Sequence, residues 1–256
     1  MITIISSAKT MDFGNNYSNV SQHNPAYEKD ASELVEICKK LSLQDLGKLL
    51  HVNAKLAQLN YDRFQDFANA STKPAILAYS GDVFRQVDRN NLNNDDLSFA
   101  HEHVAIISGL YGVVKAMDFI APYRLEMSTK LSANNCANLY SYWNKKIATY
   151  FNNAVSQQNS AKFILNLASE EYSQAVDQKQ LTFPLVSIHF RQMRNKKSQN
   201  IGVLTKKARG KMLNMIIKNR IDSIENLLNF SDDGYKYTPE NSNKTNLVFT
   251  TNLDNL

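Results

Sequence analysis

The chain has little that would bend or crosslink it. Eight glycines, five prolines and two cysteines in 256 residues exclude collagen-like repeats, linker-rich arrays and a disulfide framework. Cys38 and Cys136 stand far apart, so paired thiols for a zinc ribbon are lacking too. No run approaches the roughly twenty apolar residues of a membrane span. The N-terminal Met1-Ile2-Thr3-Ile4-Ile5-Ser6 has neither the basic leader nor the sustained apolar stretch of a secretory signal. A soluble protein of the reducing cytoplasm is expected, without a membrane partner. The composition, 43% hydrophobic and 21% charged, is that of a globular protein, and the length suits one domain over residues 1–256.

Charge is unevenly placed. The net charge is +5, yet the segment from Arg191 to Arg220 holds ten basic residues and no acid, so the remainder of the chain is acidic. Such segregation sets up a local field that attracts phosphates. Arg191, Arg194, Lys196, Lys197, Lys206, Lys207, Arg209, Lys211 and Lys218 are the candidate nucleic-acid contacts; a solvated basic face is the plainer alternative.

Periodicity predicts a mixed α/β fold, a mixed sheet with surrounding helices. Strands are expected at Ile2–Ser6, Ala75–Tyr79, Val104–Ser108, Lys162–Leu167, Leu185–Phe190, Ile201–Thr205 and Asn246–Thr251. Helices are expected at Tyr27–Leu41, Asn94–His103 with Asn94 or Asp95 as cap, Tyr140–Val155, Lys206–Arg220 and Ser223–Leu228, from apolar residues at i, i+3, i+4 and i+7. Ser169 is placed to cap a further short helix. Between residues 43 and 67, two short amphipathic segments flank His51-Val52-Asn53 and form a helical hairpin.

The common catalytic signatures are absent: no phosphate loop, nucleophile elbow or dinucleotide fingerprint occurs. His101 and His103 diverge by about 200° on a helix and cannot share one ion, so no metal site and no cofactor are expected. What remains is polar residues at predicted strand ends, where ligands of open α/β sheets gather. Lys9, Asp82, Tyr111, Asp118, Tyr123, Arg124, Glu126, Ser169 and Arg209 are the candidates for chemistry. Alternation puts Arg124 and Glu126 on one face of an extended segment; a structural ion pair and an anion site are equally open readings. On the basic helix, Lys207, Lys211, Asn214 and Lys218 form one stripe, whereas Arg209 falls at the margin of the apolar side. A guanidinium there must meet a carboxylate or look into a pocket.

Several of these residues belong to longer runs: Ser6-x-Ala8-Lys9-Thr10-x-Asp12, Gly81-Asp82-Val83, Ser108-Gly-Leu-Tyr-Gly112, Pro122 to Met127, Asn166-Leu-Ala-Ser169-x-Glu171-Tyr172 and Lys206-Lys-Ala-Arg-Gly210-x-Met212. With Asp118, Leu139-Tyr140-x-x-Trp143 and Gly234-Tyr235, the chain resembles the YaaA peroxide-stress family from end to end. It departs from the family pattern at Ser7, where a proline is usual, and at Lys115-Ala116, where Arg-Pro is usual. The resemblance implies a cytosolic protein that limits intracellular iron and oxidative DNA damage during hydrogen peroxide stress. It also implies DNA binding, a positively charged cleft and a helix-hairpin-helix element, for which residues 43–67 are the position here. His51-Val52-Asn53 replaces the Gly-x-Gly turn usual in such elements, which weakens amide contact to a phosphate.

The leading expectation is binding of duplex DNA through a basic cleft, with little sequence preference because contacts go to the backbone. The alternative is an enzyme acting on a nucleotide or other phosphate-bearing small molecule in the strand-end cleft. Direct metal sequestration has few ligands to draw on. The strand-end residues Lys9, Asp82, Tyr111, Arg124, Ser169 and Arg209 are expected to converge on one concave site.

Overall fold

The computed structural model describes residues 1–14, 21–159, 161–195 and 197–255; Lys196 lies outside them. In chain order the strands and helices are β1 (Ile2–Ser6), α1 (Glu28–Lys39), α2 (Leu43–Leu49), α3 (Ala54–Gln65), β2 (Lys73–Pro74) and α4 (Ala75–Ala78). Then follow α5 (Asn94–His103), β3 (Val104–Ser108), β4 (Gly112–Lys115), β5 (Phe119–Ile120), α6 (Leu139–Ser156), β6 (Ile164–Asn166) and α7 (Glu170–Ser173). The chain closes with β7 (Leu185–Arg194), β8 (Lys197–Gln199), α8 (Gly202–Lys218), α9 (Ile224–Leu227), β9 (Lys236–Tyr237) and β10 (Asn246–Asn252).

Among the described residues, eight strands form one mixed sheet in the order β4-β3-β1-β6-β7-β10-β9, with β8 paired to β7. β1 runs parallel to β3 on one side and to β6 on the other. The chain therefore leaves β1 to one side, reaches β3, and returns across it to β6, which makes the β1–β6 gap a topological switch point. Valine and isoleucine dominate β1 and β3, and every residue of β3 is buried, the pattern of strands covered on both faces. β7 and β10 instead alternate buried and half-buried residues. Their inward side chains Phe190 and Phe249 join Phe230 and Tyr235 in an aromatic cluster.

The helices begin where the chain supplies a cap. Asn93 accepts from the Asp96 N–H while Asp96 reaches back to the Asn93 N–H, and Asn138 and Ser141 do the same for α6, reciprocal caps that satisfy otherwise orphaned amides. Trp143 is fully buried on α6, its indole N–H donating to the Gly109 carbonyl at 2.9 Å. That contact needs Gly112, where φ is +67° and an added Cβ would lie 2.6 Å from the indole ring.

Three expectations are corrected. Ala75–Ala78 is a helical turn instead of a strand; it is buried throughout, and buried apolar runs this short do not distinguish the two. Residues 201–205 are not a strand: Gly202 already opens α8, and the strand beside β7 lies earlier, at Lys197–Gln199. The cap of α5 is Asn93, not Asn94 or Asp95. The helical hairpin takes the form of α2 and α3, with His51 at φ 50° and Asn53 capping α3 by accepting from the Leu56 N–H.

One close approach fixes α8. A Cβ on Gly210 would lie 2.1 Å from the Val83 carbonyl oxygen, whereas one on Gly202 would meet nothing within 4 Å. Gly210→Ala should therefore destabilise the fold by about 1–3 kcal/mol. Gly202→Ala should instead be neutral or stabilising by up to about 1 kcal/mol. Urea denaturation of the two single variants measures both.

Candidate functional site

A cleft of about 350 Å³ opens at the carboxyl ends of β1 and β6, within the size range of small-molecule sites. Its floor is the chain leaving the two strands. Ser6 and Ser169 face each other there, with the Ser169 N–H donating to Ser6 Oγ at 2.9 Å and the two hydroxyls 3.2 Å apart. Ser169 is thereby engaged across the sheet, and it makes no side-chain cap to α7, contrary to the capping expectation. One wall is the 81–85 turn after α4, the other is α8, and Lys9, Glu171 and Tyr172 complete the lining. Gly81 lies so near Ala8 that an added Cβ would sit 2.9 Å from the Ala8 side chain. The turn thus closes tightly on the β1 loop.

Of the six residues expected to converge, Lys9, Asp82, Ser169 and Arg209 line the cleft. Arg124 reaches it indirectly: its guanidinium donates to Glu126 Oε1 at 3.0 Å, and Glu126 Oε2 takes the Lys9 ammonium at 2.5 Å. The carboxylate is thus shared by two cations, which satisfies the structural ion-pair reading of Arg124 and holds Lys9 at the rim. Tyr111 stands behind the wall, its hydroxyl accepting from the Ala121 N–H. Tyr123 is also buried. Its hydroxyl lies 2.6 Å from Ser108 Oγ and 2.7 Å from the Tyr79 hydroxyl, and Ser108 in turn accepts from the Leu110 and Tyr111 amides. Burial pushes the Tyr123 phenol up, and the hydroxyls of Ser108, Tyr79 and Ser7 offset part of that rise. Because Ser7 lines the cleft, the network runs from the cleft floor into the core.

Asp118 lies away from the cleft, in the turn after β4, where it accepts from the Lys115 N–H at 2.8 Å. His101 and His103 also go their separate ways. His101 stacks on His23 at 4.1 Å, and His103 stacks on Phe99 and meets the Met1 carbonyl. Among the described residues no three His, Cys, Asp or Glu side chains are grouped to hold a metal ion.

The charge balance inside the cleft turns on which cations are engaged. Lys9 is held by Glu126, Arg85 lies 3.5 Å from Asp82, and Glu171 accepts from the Ser128 N–H and hydroxyl. Lys206 and Arg209 are left, and neither forms an ion pair among the described residues. Arg209 Nε is buried without a hydrogen-bond partner, and burial lowers the guanidinium pKa. α8 begins at Gly202, which places Arg209 in its third turn, not in the first as its sequence position relative to Lys206 suggested.

The basic stripe is less free than expected. Lys211 pairs with Asp233 at 2.5 Å and lies near Asp232; Lys218 pairs with Asp96 at 3.1 Å. Asn214 accepts from the Asp88 N–H. These residues fasten α8 to its neighbours, so the stripe is not an open polyanion surface. Arg194, Lys197, Lys206 and Lys207 are exposed and Arg191 half-buried, and the Asn195 N–H at the β7–β8 turn donates to Asp254. Ser6, Ser7, Arg85, Glu171 and Tyr172 were not among the sequence candidates yet line the cleft. The hydroxyl pair at the carboxyl end of β1 was the signal available for the first two.

The description "Peroxide stress protein YaaA" belongs to a family whose sequence model matches residues 1–241. The chain belongs to that family. It is 43% identical to a UPF0246 protein of Crocosphaera subtropica and 44% identical to one of Rickettsia bellii, each over 97% of this chain and 99% of the relative. A UPF0246 protein of Rickettsia felis is 42% identical over the same shares. Membership supports a role in the peroxide stress response. No helix among the described residues is long and apolar enough to cross a membrane.

Asp118 offers a pH test of this geometry. Burial raises its carboxyl from 3.8 to about 6, so the folded state favours the protonated form. The cost of burying the charge is absent below the unfolded value of 3.8, grows as pH rises, and is complete above about 6. Asp118→Asn keeps an acceptor for the Lys115 N–H and removes the charge. It should flatten the loss of stability between pH 4 and pH 6 and raise stability at neutral pH by about 1–3 kcal/mol, read from urea midpoints across that range.

Proposed function

We propose that the protein acts in the peroxide stress response by binding duplex DNA through phosphate contacts, in the cytoplasm, and so helps limit iron-driven oxidative damage to that DNA. The observation that carries this reading is the group of exposed cations Arg194, Lys197, Lys206 and Lys207 on the β7–β8 hairpin and the start of α8, none ion-paired among the described residues. The Ile201 N–H donates to Gln192 at 2.6 Å, which ties the start of α8 to the hairpin, and Arg191 precedes them on β7. Side chains so placed engage phosphates and carry no base readout, so little sequence preference is expected. The α2–α3 hairpin, through its loop at 51–53, is the next candidate surface should the basic segment prove not to be the contact.

A second reading, an activity on a phosphate-bearing small molecule, is favoured by one observation: Arg209 Nε is buried beside the cleft without an acceptor.

DNA binding is tested by Arg194→Glu, Lys197→Glu and Lys207→Glu together, which spare the ion-paired Lys211 and Lys218. Fluorescence anisotropy with a labelled duplex should show affinity falling at least about tenfold at moderate salt. The slope of log affinity against log salt should shallow by about one for each phosphate no longer engaged. Unchanged affinity and slope in the folded variant would move the surface to the α2–α3 hairpin.

A further inference from the structure

We propose that the cleft at the β1–β6 switch point is a binding site for a nucleoside 5′-monophosphate, with Arg209 and Lys206 holding the phosphate and the apolar wall taking the nucleoside. The proposal rests on the second reading above and gives it a ligand class.

Arg209 is costly where it sits. A guanidinium hydrogen aimed into protein without an acceptor loses its hydration and recovers nothing. Chains do not need to keep such a group at the margin of an apolar helix face, where a methionine or glutamine of similar length fits as well. Its position is over-determined all the same. Gly210, the next residue, is pressed against the Val83 carbonyl with no room for a Cβ, and Ala208 and Met212 on either side are fully buried. The helix therefore holds Arg209 in the cleft lining with no ion-pair partner among the described residues, the arrangement of a preorganised anion site.

The other cations on the rim already have partners. Lys9 answers Glu126 and Arg85 answers Asp82, so an incoming phosphate meets Arg209 and Lys206 first. Ser6 and Ser169 supply hydroxyls at the strand ends. Beside the polar Ser7, Thr10 and Glu171, the remaining lining includes an apolar and aromatic wall of Ile5, Ala8, Val83, Leu167 and Tyr172. A bare phosphate leaves that surface uncovered, whereas a ring-bearing body attached to the phosphate covers it. The volume of about 350 Å³ lies at the small end of ligand sites, which suits one nucleotide and one phosphate in preference to a dinucleotide.

Isothermal titration of the full chain with a panel of ribo- and deoxyribonucleoside 5′-monophosphates, the matching nucleosides and inorganic phosphate tests this. Binding of at least one monophosphate, tighter than either its nucleoside or inorganic phosphate, is expected. Arg209→Met should weaken that binding by about tenfold to a hundredfold. The same variant should leave the thermal midpoint unchanged or higher, because it removes an unpaired buried donor; a structural arginine would lower it instead. Arg209→Lys, which keeps the charge without the planar fork, should recover only part of the affinity. If inorganic phosphate binds as tightly as every monophosphate, the anion reading of the cleft survives and the nucleoside commitment is overturned. If no phosphate-bearing probe binds, or if Arg209→Met binds as the parent does, both the proposal and the second reading fall, while the DNA result from the hairpin variant stands by itself.

Discussion

The contact between the α8 backbone and the Val83 carbonyl sets the geometry on which the cleft depends. Helices usually meet their neighbours through side chains, at separations of about 8–10 Å between axes. Here Gly210 removes the side chain, and the turn that follows α4 presses against the helix itself. Gly81 repeats the device on the other side of the turn, against Ala8. The 81–84 segment is thus clamped between the β1 loop and α8. Both walls of the cleft and the direction of Arg209 follow from that clamp. Each glycine carries the usual entropic cost, and eight in the chain leave few to place elsewhere.

Charge is handled differently in two parts of the same basic segment. Lys211 and Lys218 are engaged by Asp233 and Asp96, holding α8 to the rest of the molecule, while Lys206 and Lys207 one turn earlier remain exposed and unpaired among the described residues. The acids that answer the first pair come from segments outside the run of ten basic residues, so the acidic remainder of the chain has a structural use. Net charge by segment therefore overstates the surface available to a polyanion, and only three-dimensional pairing separates fastening cations from free ones.

Much of the fold was legible because burial left a strong pattern. β1, β3 and β10 carry β-branched runs, and α5 and α6 have apolar periodicity behind reciprocal caps. The failures came where pattern does not decide. Ala75-Ile76-Leu77-Ala78 is apolar at every position, so period two and period 3.6 describe it equally well. Gly202-Val203-Leu204-Thr205 has the β-branched look of a strand, yet it opens a helix with exposed Val203. In the cleft, Lys9, Asp82, Ser169 and Arg209 were found because each lies beside a strand end or at a helix-face margin. Tyr111, in the turn between β3 and β4, and Tyr123, in the segment after β5, lie in runs of the same kind but are buried, a difference that no spacing rule reports. The Glu126 carboxylate bridging Lys9 and Arg124 joins segments more than a hundred residues apart, and only the fold could reveal that.

Trp143 is the one tryptophan of the chain, wholly buried, with its ring against Gly112 and its N–H on the Gly109 carbonyl. The turn it touches also carries the Leu110 and Tyr111 amides held by Ser108, the far end of the hydroxyl network that begins at the cleft floor. The indole is consequently a native optical reporter seated at that end. Its emission belongs to an apolar, hydrogen-bonded environment, and any rearrangement passed from Ser7 through Tyr123 to the 109–112 turn would register as a change in colour or intensity without an added label.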